Sequence, residues 1–166
     1  MRLSSTSTDY KYIPGYGRVQ GYLDFCNEHQ LKHELILRDM GNTYDSLRLH
    51  LSEILDYIIE KYAGKRKGLF ISNDTQANVV LNLLIRKYGC LPEDFFLVGF
   101  DNSSISEEAV IPISTIGQQI DKLAYGAVEL LVEQMNERKK RRPQPLKAPV
   151  HKVVPPILFR RETTEK

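Results

Sequence analysis

A chain of 166 residues can build one core-bearing domain but not two large ones. Its 42% hydrophobic and 27% charged residues are ordinary for a globular protein, and a net charge of +2 gives no general pull on nucleic acid. No apolar run approaches the roughly 20 residues of a membrane span. The start, Met1-Arg2-Leu3-Ser4-Ser5-Thr6, lacks the apolar stretch of a secretion signal, so a cytoplasmic protein without membrane contact is expected.

Residues 1–15 are rich in Ser, Thr and Tyr and read as an irregular lead-in ending at Pro14-Gly15. From Tyr16 to Glu28, Val19, Tyr22, Leu23 and Cys26 follow the helical spacing. Glu34–Arg38 reads as a short strand. Thr43 to Tyr62 is a long amphipathic helix with Thr43 as N-cap and Gly64 as its stop. Lys67–Ser72 is predicted as a buried strand, Asp74–Tyr88 as a helix ended by Gly89, and Asp94–Phe100 as the next strand. A short helix is suggested at Ser103–Glu108 and a short strand at Ser114–Ile116. Gln119–Lys140 is the longest helix, stopped by Pro143 and Pro145, and Val150–Val154 and Ile157–Arg160 are brief β segments. Strands and helices alternating at these intervals predict an α/β fold with a parallel sheet flanked by helices.

Two predicted strands run straight into polar pairs, Asn73-Asp74 and Asp101-Asn102, at their carboxyl ends. In an open parallel sheet that edge is where small ligands bind. The remaining chemistry is sparse. Cys26 and Cys90 show no metal or redox spacing and read as reduced thiols; His29, His33, His50 and His151 are scattered, so no metal or cofactor is expected. Gly15-Tyr16-Gly17 does not follow a strand, which excludes a phosphate loop. The basic run Arg138-Lys139-Lys140-Arg141-Arg142 lacks interleaved aromatics and reads as a solvated helix terminus, where positive charge is favourable.

Five segments in order carry a resemblance: Gly17-Arg18-Val19-Gln20-Gly21-Tyr22; Ser72-Asn73-Asp74; Leu91-Pro92-Glu93-Asp94 with Val98-Gly99-Phe100-Asp101-Asn102; Pro112-Ile113-Ser114-Thr115-Ile116-Gly117-Gln118; and Pro156-Ile157-Leu158-Phe159-Arg160-Arg161-Glu162-Thr163. From about residue 15 to 164 the chain resembles the effector-binding domain of the LacI/GalR family of transcriptional repressors, a periplasmic-binding-protein-like fold. The resemblance implies that 1–116 is most of the carboxyl-terminal subdomain. Residues 117–154 would be a crossover helix and strand of an otherwise missing amino-terminal subdomain, and 155–166 a return strand and tail. It implies DNA binding only through a head outside this chain, in the manner of a LacI head or of the different head that arabinose repressors carry.

The resemblance points to Arg18, Asn73, Asp74, Asp101 and Gln118 as effector-binding residues. A planar guanidinium can clamp two ligand oxygens, and an ionised carboxylate can accept two hydroxyls. Tyr16 and Tyr44 could stack on a sugar face but read more naturally as packed aromatics. The homodimer surface would include Asn78, Leu81, Val110, Ile111 and Pro112; Leu84 reads equally well as core. The expected function is therefore sugar sensing in a repressor, with a pentose such as arabinose as the first ligand to try. A periplasmic sugar-binding protein, or a small α/β enzyme using Asp101 or Cys90, is the alternative. The apolar face of helix 119–138 lacks a cover in a chain of this length, so self-association is expected.

Overall fold

The computed structural model describes residues 15–139 and 150–165. The chain divides into two compact units, residues 1–63 and 64–166, each treated by itself.

The first unit holds helices α1 (Tyr16–Glu28) and α2 (Tyr44–Lys61). Thr43 starts α2 with a reciprocal cap: its hydroxyl accepts from the Ser46 N–H at 3.1 Å, and the Ser46 hydroxyl accepts from the Thr43 N–H at 3.3 Å. Such a cap satisfies two donors that a helix start leaves open. Leu51, Leu55 and Ile58 form the buried stripe of α2.

The strand expected at 34–38 does not form; residues 31–41 carry no regular structure. A strand needs a ladder partner, and this unit offers only helices among its described residues. Glu34 instead serves as an anchor. Its carboxylate accepts hydrogen bonds from Tyr57 (2.8 Å), Lys61 (2.9 Å) and Tyr62 (2.7 Å) on and just after α2. Burial alone would push this carboxyl up, but the bonds from Tyr62, Lys61 and Tyr57 outweigh it and hold the group below its ordinary range.

The second unit is a four-stranded sheet in the order β1-β2-β3-β4, made by β1 (Lys67–Phe70), β2 (Phe95–Asp101), β3 (Ser114–Gly117) and β4 (Ile157–Phe159). The first three strands are parallel, as expected, and β4 returns antiparallel to β3. Helix α3 (Asp74–Tyr88) packs on β2 and ends at Gly89, whose φ of 78° suits a residue without a Cβ. Ala77, Val80, Leu81 and Leu84 of α3 meet the interior with Phe95, Leu97 and Ile113. The short α4 (Ser104–Glu108) links β2 to β3, and α5 (Ile120–Arg138) links β3 to the return. The β segment expected at Val150–Val154 is absent. Those residues run beside α5, with Lys152 bonded to Glu129 at 2.6 Å, and have no strand neighbour among the described residues. The expected helix end at Lys140, the proline stops at 143 and 145, and most of the basic run lie outside the described residues.

Candidate functional site

Because β1, β2 and β3 are parallel, their carboxyl ends share one edge of the sheet. Asn73 follows β1, Asp101 closes β2 and Gln118 follows β3. Ile157, the first residue of β4, pairs with Gly117 at the same edge. Three of the five expected effector residues are thus brought together within this unit. Gln118 and Asp101 touch directly: the Gln118 amide donates to the Asp101 carboxylate at 2.8 Å.

Asn73 is the N-cap of α3, its side-chain oxygen accepting from the Gln76 N–H at 2.9 Å. That use takes the carbonyl oxygen and leaves the amide NH2 group available as a donor. Asp101 and Asn102 both have positive φ, 111° and 53°. Non-glycine residues there cost about 1–3 kcal/mol each and persist only where the surroundings over-determine them. Such strain marks a turn whose shape matters more than its ease.

Asp74 is placed differently from the expectation. It is 1% exposed, and both its oxygens are already occupied. The Thr115 hydroxyl donates to one at 2.6 Å; the Ser103 N–H and hydroxyl donate to the other at 2.8 and 3.0 Å. Asp74 therefore ties the start of α3 to β3 and to the loop after β2. Gly99 makes the arrangement possible, since a Cβ there would run into the Asp74 carboxylate and lie 3.4 Å from the Ala77 Cβ.

Arg18 lies in the first turn of α1 in the other unit, half-buried, its side chain folded toward Gly15. Tyr16 is half-buried with its hydroxyl on Gln20 at 3.2 Å, and Tyr44 is exposed. Of the expected dimer residues, Val110 is 76% exposed, while Asn78, Ile111 and Pro112 are half-buried. Leu81, which the resemblance implied for the dimer surface, is 0% exposed and packs in the interior. Leu84 is also core.

Two residues of the terminal motif brace the sheet, Thr163 at the amino-terminal start of β3 and Arg161 through the loop after β2. The Thr163 hydroxyl donates to the Leu97 carbonyl at 2.7 Å and accepts from the Ser114 N–H at 2.9 Å, bridging β2 and β3. Arg161 spreads its guanidinium over the Asn102 side-chain oxygen (2.8 Å), the Glu107 carboxylate (2.7 Å), the Ile113 carbonyl (3.0 Å) and the Ser106 hydroxyl (3.2 Å). Only the arginine's planar fork of five donors can serve so many acceptors at once. Among the described residues no three His, Cys, Asp or Glu side chains gather in a way that could hold a metal, and no helix is long and apolar enough to cross a membrane.

In open α/β sheets the carboxyl edge of the parallel strands, where Asn73, Asp101 and Gln118 lie here, is the usual place for a small ligand. Residues 5–164 match the model of the periplasmic binding protein-like domain, and the chain belongs to that family. It is 25% identical over 135 residues to the HTH-type transcriptional regulator CelR of Thermobifida fusca, covering 81% of this chain and 38% of that protein. It is 30% identical over 121 residues to the HTH-type transcriptional repressor PurR of Vibrio atlanticus, covering 73% of this chain and 35% of that one. The chain thus spans little more than a third of these curated relatives. Among solved structures it superposes on the CelR–cellobiose complex with a TM-score of 0.69 at 25% identity, covering 90% of this chain and 42% of that one. The lac repressor dimer bound to operator shares the fold, with a TM-score of 0.66 at 19% identity over 89% of this chain and 46% of that one. The resemblance to the effector-binding domain of LacI/GalR regulators is borne out by these matches.

Proposed function

We propose that the carboxyl edge of β1–β3 binds a sugar and that this chain is the effector-sensing and dimerising part of a cytoplasmic transcriptional repressor. The carrying observation is Asp101, its backbone strained and its carboxylate held by Gln118, at the same strand-end edge as the capping Asn73. An acceptor flanked by amide donors suits the alternating donors and acceptors of a polyol. Asp74, fully used inside the fold, acts by holding the edge in shape and leaves the ligand to its neighbours.

The division into a carboxyl-terminal subdomain (1–116), a crossover helix and strand (117–154) and a return tail (155–166) belongs to the same reading. It is supported by α5, whose 19 residues include none that is buried. In a whole regulator, ligand binding would favour one closure of the two subdomains and shift the population of DNA-binding arrangements. DNA contact would fall to a head of HTH type, as the relatives' names indicate. Asn78, Val110, Ile111 and Pro112 would face a second copy. Catalysis has no part in this reading: the relatives are regulators, and the edge needs only to bind.

The test is a titration of the 15N-labelled chain with arabinose, ribose, xylulose and cellobiose at millimolar concentration. At least one sugar should shift the amide resonances of Asn73, Asp101 and Gln118, and Asp101→Asn should weaken that response about tenfold. Shifts confined to other surfaces, or turnover of any sugar, would sink the proposal. Which sugar responds decides whether the preference for a pentose holds.

A further inference from the structure

The effector residues named above are those at the strand ends. Deepening that reading, on which it rests, we infer that Arg161 is a positioning residue for the ligand edge: by gripping Asn102 it fixes the strained turn that aims the Asp101 carboxylate.

The geometry is specific. Asp101 pairs with Gly117 in the β2–β3 ladder, and the chain then leaves the sheet through two consecutive positive-φ residues. Nothing intrinsic to Asp or Asn holds two such conformations in a row. The restraints come from outside. The Asn102 N–H donates to Thr115 at 3.3 Å, and the Asn102 side-chain oxygen accepts from Arg161 at 2.8 Å. Gly117 lets Asn102 sit close, since a Cβ at 117 would approach the Asn102 Cβ to 3.0 Å. Arg161 is itself immobilised. Its side chain is 14% exposed, its backbone N–H donates to the Ser114 hydroxyl at 2.8 Å, and its guanidinium lies over the Phe159 ring at 5.7 Å.

The turn is thus braced by the return segment of the chain, far away in sequence. Arg161 touches no predicted ligand residue. It acts on Asp101 through Asn102. The Glu107 contact is of another kind, because that carboxylate is 62% exposed and solvent competes for the pair. The Asn102 contact is the one that reaches the edge.

Amide hydrogen exchange on the whole chain reads this directly, without a ligand. In Arg161→Lys a single ammonium replaces the fork, and exchange at the Asn102 and Ser103 amides should rise about tenfold relative to Val80 and Leu84 inside α3. Asn102→Ala should do the same, and the double variant should be no worse than the worse single, because both remove one brace. Glu107→Gln should leave those amides unchanged. Uniform acceleration across α3 and the turn would show a merely structural arginine and overturn the inference, as would additive effects or a Glu107→Gln that reproduces Arg161→Lys. Should Arg161→Lys fail to fold, Asn102→Ala alone decides by the same local readout. In the sugar titration Arg161→Lys should weaken the response of Asp101 about fivefold, the sign of positioning rather than direct contact. Failure of wild type to respond to any sugar would overturn the ligand reading, and the exchange pattern would still decide whether Arg161 holds the turn.

Discussion

Helices α3 and α5 follow the same helical rule in sequence and meet opposite fates. Six residues of α3 are buried, and its first residue is wired into β3 and the loop after β2. In α5 no residue is buried, and Leu131, Val132 and Met135 face outward. Periodicity announces that a helix has an apolar face. It does not announce what will cover it. Where a strand lies beneath, as β2 lies beneath α3, the face becomes core; where none does, it stays as uncovered surface of the kind that interaction sites use.

One substitution in each helix tests that contrast. Leu81→Ala in α3 should cost about 2–5 kcal/mol in urea unfolding, because a fully buried side chain leaves a cavity. Leu131→Ala in α5 removes the same atoms from a residue that is 56% exposed and should stay within about 0.5 kcal/mol. Equal costs would mean that α5 is covered in solution, and sedimentation would then reveal self-association. A smaller effect sharpens the packing of α3 on β2. Gly99→Ala should destabilise by about 1–3 kcal/mol, since the added methyl meets Asp74 and leaves that carboxylate no room to keep its three bonds.

The smallest effect separates a solvent-screened network from the buried one at Asp74. The Glu34 carboxyl is held below its ordinary range in the fold, so it adds stability above the unfolded value of about 4.3. That stability is lost as pH falls through the folded value. Glu34→Gln should flatten this acid limb of the unfolding midpoint only slightly, because Lys61 is 44% exposed. A steep change would rank Glu34 with the buried anchors.

Local chemistry was legible in the sequence. Thr43 and Gly89 mark their helix ends, and the apolar runs of β1, β2 and β3 mark strands, because each signal acts within a few residues. The segments 34–38 and 150–154 misled for the complementary reason. Their composition suits a strand, but pairing depends on a neighbour that sequence pattern does not supply. The site shows the same division. Asp101 and Gln118 could be placed at one edge from strand ends alone. The role of Asp74 depends on Thr115, 41 residues away, and the grip of Arg161 on Asn102 spans 59. No spacing rule reaches that far.

The cysteines have a practical consequence. Cys90 is exposed just before the amino-terminal end of β2, while Cys26 is buried. A maleimide dye should therefore attach at one place, on the side of the sheet opposite Asp101. Fluorescence from it would follow assembly or unfolding while leaving the polar rim unobstructed.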